Sequence, residues 1–250
     1  MKISEGLDEM RLDKLISHCG YGSRKEVKEI LKKENVEVNG KRVKDGKFSV
    51  NEVSDNVTLN GEVLEYQKYF YYMLHKPEGV ISATEDNRHK TVLDLLSRED
   101  YRDDLFPVGR LDKDTTGLLI LTNDGKLSHN LLSPKKHVSK CYHALIEGVV
   151  TEEDVAKFKE GLVISGDEEC LPGYLTIVSI DEKLKQSRIE VVISEGKYHQ
   201  VKRMFEAVGK TVMTLHRHSM GGLILDATLS KGSYRKVTPE ELEQLQKQKL

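Results

Sequence analysis

The stretch GRLDKDTTGLLILTNDG, residues 109–125, decides how the rest of the chain is read. Its first half is a polar knot carrying Arg110, Asp112, Lys113 and Asp114. It runs straight into the apolar block Leu118–Leu121 and out through Thr122-Asn123-Asp124-Gly125. A short apolar run bounded by turn residues reads as a buried strand, and it is far below the ~20 residues of a membrane span. A charged cluster abutting such a strand sets carboxylates at the edge of a core, where their ionisation and orientation can be controlled. An aspartate nucleophile, a two-carboxylate metal site and a plain charged turn all fit these residues.

Around this strand the chain alternates strand candidates with a few helices. Strands are expected at Tyr69–His75, Gly117–Asn123, Tyr142–Gly148, Tyr174–Asp181, Arg188–Ser194 and Gly222–Ala227. Thr151-Glu152-Glu153-Asp154 caps a helix ending near Gly161, and Tyr198–Ala207 reads as another. Thr238-Pro239-Glu240-Glu241 starts a short terminal helix, with proline at its first position. Too few connections are helical for a doubly wound sheet, so the expected fold is α+β with a mixed, largely antiparallel sheet. The dinucleotide, Walker, H-E-x-x-H and G-x-S-x-G signatures are absent from the sequence.

The amino-terminal part reads as a separate module, residues 1–66, ahead of a larger domain, residues 67–250. Leu12, Leu15, Ile16 and Cys19 make a one-sided helix ended by Gly20, and Ser23-Arg24-Lys25-Glu26 is a capping box opening a second. Asn39-Gly40 and Asn60-Gly61 are hairpin turns. The 250 residues hold 39 Lys+Arg against 41 Asp+Glu, a net charge of only −2, but the charge is segregated. Met10–Lys47 carries eleven basic residues against six acidic ones, and Lys126–Lys140 has four lysines and no acid. Such segregation suits a nucleic-acid binder with a solvated back face. Arg24, Lys25 and Lys28 on the second helix are candidates for phosphate contact. Three cysteines without C-x-x-C spacing argue against a disulfide framework and against a zinc site. MKISEGLDEM has no apolar segment for a signal peptide, so a reduced, cytoplasmic, soluble protein is expected.

The segment RLDKLISHCGYGSRKEVKEILKKENVEVNGKRV resembles the S4 RNA-binding domain, which recognises folded RNA by shape and backbone. GRLDKDTTGLLILTNDG is similar to the catalytic-aspartate motif of pseudouridine synthases, in the form used by the RsuA/RluB group of bacterial ribosomal RNA enzymes. KPEGVISATEDNRHKTVLDLL, KCYHALIEG and ISEGKYHQVKRMFEAVGKTVMTLHRHSMGGLILD occur around it in the group's order. The chain departs from the group at Leu74-His75, where Leu-Asn is common, and at Cys141, where Thr or Glu is usual.

The resemblance implies isomerisation of uridine to pseudouridine with no cofactor and no metal, and it gives Asp112 the catalytic role. A carboxylate in a dry pocket stays ionised only beside a cation, and Lys202 is the candidate, with Arg203 as fallback. Consecutive helical residues diverge by roughly 100°, so the two cannot serve alike. Tyr142 matches the tyrosine that stacks on the uracil. Arg110 and Arg203 are candidates for holding the extruded nucleotide and its backbone. His199 is expected to pack or hydrogen-bond. Tyr198-His199 is similar to the small-subunit branch, which implies a 16S rRNA target at position 516, a partly assembled small subunit as partner, and a monomer. The competing readings are a large-subunit (23S) synthase, a non-catalytic S4 ribosome binder, and a metal-dependent nuclease built on Asp112, Asp114 and Asp124.

Overall fold

The computed structural model describes residues 9–247 apart from residue 53. Most of the amino-terminal stretch read for a signal peptide, residues 1–8, lies outside the described residues. Contacts divide the chain into two compact units, one running to Tyr69 and including Ser97–Asp104, the other made of Phe70–Leu96 and the chain from Leu105 on. A single cut after residue 66 overlooks the excursion at 97–104. That excursion belongs to the first unit because Arg102 Nε donates to the His18 carbonyl at 2.7 Å.

The first unit contains β1 (Glu9–Arg11), α1 (Leu12–His18), α2 (Arg24–Lys33), β2 (Val36–Val38), β3 (Lys41–Arg42), β4 (Ser49–Asn51), β5 (Val57–Leu59) and β6 (Glu62–Val63). α1 buries Leu12, Leu15 and Ile16 against Val27 and Leu31 of α2. The capping box at Ser23 forms reciprocally: its N–H donates to Glu26 at 2.7 Å, and the Glu26 N–H donates to the Ser23 hydroxyl at 3.4 Å. Asn39-Gly40 and Asn60-Gly61 both take consecutive positive φ, the turn that matches strand twist, and they organise the sheet β3-β2-β5-β6. Arg24, Lys25 and Lys28 are exposed on α2, whose buried residues are Val27 and Leu31.

The second unit contains β7 (Tyr71–Lys76), β8 (Phe106–Pro107), β9 (Thr116–Thr122), α3 (Gly125–Leu132), β10 (Lys140–Glu147), α4 (Glu152–Glu160), β11 (Val163–Ile164), β12 (Glu168–Glu169), β13 (Tyr174–Asp181), β14 (Gln186–Ile193), α5 (Gln200–Ala207), β15 (Thr211–Met220), β16 (Leu223–Ile224), β17 (Tyr234–Lys236) and α6 (Pro239–Gln246). Its main sheet runs β13-β14-β10-β15-β9-β7-β17, with β16 on β15 and β8 on β9. All its strand pairings are antiparallel except β9 with β15, so the sheet is mixed as expected. β9 is buried at every position because both faces are covered: Leu119 and Leu121 face one core with Phe158 and Phe205, while Leu118 and Ile120 face another with Leu127 and Leu245. Toward β14 only one face is covered, and β10 alternates buried Tyr142, Ala144 and Ile146 with more exposed neighbours.

Of the features that differ from the sequence reading, three stand out. The expected strand Gly222–Ala227 shrinks to β16, and α3, capped by Asp124 accepting from the Leu127 N–H at 2.9 Å, is additional. The central strand β15 is also additional. Its sequence TVMTLHRHSM carries two histidines and an arginine, and one of its buried residues is Arg217 itself, so no apolar alternation advertises it.

The parallel pairing depends on Gly117. A Cβ there would lie 2.3 Å from the Arg217 carbonyl oxygen and 2.6 Å from its nitrogen, at φ +111. Gly117→Ala is therefore expected to cost more than ~3 kcal/mol, enough to leave most of the chain insoluble. Gly61→Ala, at φ +89 with nothing within 4 Å, is the control and should cost ~1–2 kcal/mol. Denaturant unfolding of the soluble fractions measures both, and equal losses would show that backbone strain alone matters.

Candidate active site

Asp112 sits in the loop between β8 and β9, and a buried ammonium shapes that loop. Lys76, at the end of β7 and fully buried, donates from Nζ to the carbonyls of Pro77 at 3.0 Å, Asp112 at 2.9 Å and Thr115 at 2.8 Å, with Lys113 at 3.4 Å. Ser82 closes the other side, since its Oγ donates to the Leu111 carbonyl at 2.9 Å and accepts from the Leu111 N–H at 3.0 Å. The loop is thus fixed through main-chain atoms, which leaves the Asp112 carboxylate free for other partners.

Those partners come from α5. Lys202 Nζ lies 3.1 Å from Asp112 Oδ2 and 2.7 Å from Asp114 Oδ1, so one cation bridges two carboxylates. Burial works against the Lys202 charge, but hydrogen bonds to Asp114 and Asp112 outweigh it and raise its pKa. The hydrogen bond from Lys202 lowers that of Asp114 in turn, against the opposing effect of burial. His199 Nε2 stands 3.4 Å from Asp112 Oδ1. His199 precedes α5 in the left-handed conformation at φ +49, which histidine adopts more readily than most non-glycine residues.

Asp112 and His199 line a cavity of about 760 Å³ that also takes in Tyr142, Arg110, Lys140 and Arg217, with Lys202 and Asp114 outside its lining. Tyr142 is buried on β10 opposite Arg217 of β15. Arg217 donates from Nε to the Leu118 carbonyl at 2.8 Å, yet its buried Nη2 has no partner. A buried donor left unpaired in a cavity wall is costly unless an acceptor arrives there. Lys140 Nζ donates to the Val138 carbonyl at 3.0 Å. Arg110 is exposed at the rim.

The structure thus brings together Asp112, Lys202, Tyr142 and Arg110. Arg203 is not with them. Its Nε donates to Ser165 Oγ at 2.8 Å, its Nη2 reaches Glu168 at 2.7 Å and also bonds the Ser165 carbonyl, and it turns away as the fallback partner of Asp112. Sequence reasoning overlooks Lys76, Lys140 and Arg217, and gives Asp114 a role only in the competing metal-dependent nuclease. The adjacent Lys76-Pro77 is the one local signal for the loop anchor; nothing near Arg217 in the chain marks it.

Burial pulls both Lys76 and Lys140 down to about 8. Below that pH each carries its proton, and above it each loses a donor and the charge that strengthens the remaining bonds. Turnover at saturating RNA should accordingly fall as pH rises through about 8. A rate that keeps climbing well past this point would disconnect the loop anchor from catalysis.

Residues 70–207, more than half of the chain, match the family model described as RNA pseudouridylate synthase, and residues 10–57 match the S4 domain. The chain is 48% identical over 233 residues to the uncharacterized RNA pseudouridine synthase YtzG of Bacillus subtilis, covering 93% of this chain and 97% of that one. It is 41% identical to the ribosomal small subunit pseudouridine synthase A of Vibrio vulnificus, over 95% and 100% of the two chains. Identity to the ribosomal large subunit pseudouridine synthase B of Bacillus subtilis is 38%, over 94% and 95%. A solved pseudouridylate synthase structure superposes with a TM-score of 0.65 at 35% identity, over 94% of this chain and 99% of that one. Fold, cavity and relatives agree, and the chain belongs to the RNA pseudouridylate synthase family, in its S4-bearing RsuA/RluB group.

Proposed function

We propose that the chain isomerises one uridine of 16S rRNA, at position 516, with Asp112 as the reacting carboxylate. The observation that carries this reading is the Asp112 side chain in a cavity with Tyr142, held between Lys202 at 3.1 Å and His199 at 3.4 Å. The reaction breaks N1–C1′, turns the uracil, joins C5 to C1′, and moves the C5 proton so that N1 ends protonated. Nothing is oxidised or consumed. Asp112 takes up the ribosyl or base carbon as nucleophile, or stabilises the separated fragments. Tyr142 offers a ring for the freed uracil to stack on, and Arg217 Nη2 is a donor awaiting an acceptor.

A base inside a helix cannot be reworked, so the nucleotide is extruded, and exposed Arg110 is placed to hold its phosphate. Arg24, Lys25 and Lys28 supply a row of cations for RNA backbone. Lys202 acts by positioning and neutralising, without touching substrate.

The small-subunit target rests on the Tyr198-His199 opening of the α5 segment, whose rings stack at 3.8 Å with His199 against Asp112. Primer-extension mapping of pseudouridine in rRNA from cells with and without this protein tests it. The expected result is one modification lost from 16S rRNA and none from 23S. A loss confined to 23S would move the substrate while leaving the chemistry in place.

A further inference from the structure

The sheet face behind Tyr142 carries a group of side chains that the reaction does not use. Cys141 and His143 flank Tyr142 on β10, so strand alternation turns both away from the cavity. His143 pairs across β10 and β14 with Glu190, and its Nε2 lies 3.3 Å from Glu190 Oε2. The donor atoms of Cys141, His143 and Glu190 all lie within 4.8 Å of one another.

A fourth donor comes from β15. The register there slips between Cys141, opposite Ser219, and Tyr142, opposite Arg217, so that His218 is the extra residue of a bulge. The His218 ring stacks on that of His143 at 4.5 Å and 17°. Two adjacent strands therefore deliver a thiol, an imidazole and a carboxylate to one spot, and a third strand sets the His218 imidazole beside them, stacked on His143. The spot is open to solvent, with His143 and Glu190 both roughly half exposed and Cys141 partly so.

We propose that Cys141, His143 and Glu190, with His218 swinging in as fourth ligand, bind a borderline-soft divalent metal ion of the zinc type. The donor set is the argument. A thiolate with imidazoles favours zinc over the hard cations magnesium and calcium, which take oxygen ligands. Four ligands at ~2.0–2.3 Å from a tetrahedral metal stand about 3.3–3.8 Å apart. The His143–Glu190 separation of 3.3 Å already meets that distance, and Cys141, within 4.8 Å of both, needs to close by at most ~1.5 Å. The ion would rivet β14, β10 and β15 on the side of the sheet away from Asp112, and so brace the strand that carries Tyr142. It takes no part in the isomerisation. No C-x-x-C or H-x-x-x-H spacing announces such a site, because its donors are adjacent in the sheet and distant in the chain.

The test uses the full chain, stripped with chelator and titrated with Co²⁺ as a spectroscopic stand-in for zinc. One equivalent should bind, with the thiolate-to-cobalt charge-transfer band and the intense visible bands of tetrahedral coordination, and Zn²⁺ should displace it. Cys141→Ser, nearly isosteric, should abolish the charge-transfer band, and His143→Ala should weaken binding by at least ~100-fold. Zinc should raise the melting temperature of the wild-type chain and leave that of Cys141→Ser unmoved. Absence of stoichiometric binding by the wild-type chain would overturn the proposal, as would a charge-transfer band that survives Cys141→Ser.

Discussion

Asp112→Asn should abolish pseudouridine formation while leaving a folded protein that still binds RNA. The reason lies in how the loop is held. Lys76 grips the Asp112 carbonyl, and Ser82 grips Leu111, so the loop does not depend on the carboxylate for its shape. Lys202 is not orphaned either, because Asp114 remains at 2.7 and 3.0 Å. An asparagine of the same size therefore removes one charge and one nucleophile and little else. Turnover should drop by at least ~10⁴-fold, since each form of the reaction routes through this carboxylate. RNA affinity should stay within about threefold. Tritium release from C5-labelled uridine, with chelator present, reads the first quantity, and filter binding reads the second. Residual activity within tenfold of wild type would remove Asp112 from the chemistry.

Lys202→Met should produce the second largest loss, about 10²-fold in turnover with little change in RNA affinity. The methionine keeps the aliphatic stem of a lysine that is mostly buried, and deletes only the charge. Two carboxylates that shared one ammonium are then left facing each other, and the Asp112 carboxylate loses its fixed orientation. Two further variants separate this from general damage. Lys202→Arg should recover most of the activity. Adding Asp114→Asn to Lys202→Met should recover several-fold, because the repulsion is relieved at its other end. Were the double variant no better than Lys202→Met, the cation would matter for something other than holding Asp112 apart from Asp114.

What could be read from the sequence follows the range of the interactions. The capping boxes at Ser23, Thr151 and Thr238 and the two Asn-Gly turns involve residues at most three apart, and each stands where the local chemistry puts it. Leu118–Leu121 reads correctly as a buried strand because burial on both faces leaves a continuous apolar run. The pairing of Asp112 with Lys202 was reachable only through the family resemblance, since nothing in either segment points to the other. β15 escaped because its buried positions include an arginine whose partner, the Leu118 carbonyl, lies 99 residues earlier. Arg203 was separable from Lys202 by helix geometry alone, but which of the two faced Asp112 depended on where Ser165 and Glu168 stood. His199 reads as a packing or hydrogen-bonding residue in the sequence, and only its 3.4 Å approach to Asp112 Oδ1 sets it beside the carboxylate.

The position of β15 also sets the order in which this molecule can come into being. It lies between β10 and β9, so it is the seam that joins the β13-β14-β10 half of the sheet to the β9-β7-β17 half. Until it arrives, neither half has its neighbour, and Asp112 and Lys202 sit on fragments with no shared frame. Closing that seam spans about a hundred residues, a slow step with a large loop-closure cost. During synthesis the strand also emerges after the segments that carry Asp112, Tyr142 and Lys202. The nascent chain can complete its amino-terminal unit early, but the reactive constellation assembles only after β15 has followed β14 and α5 out of the ribosome.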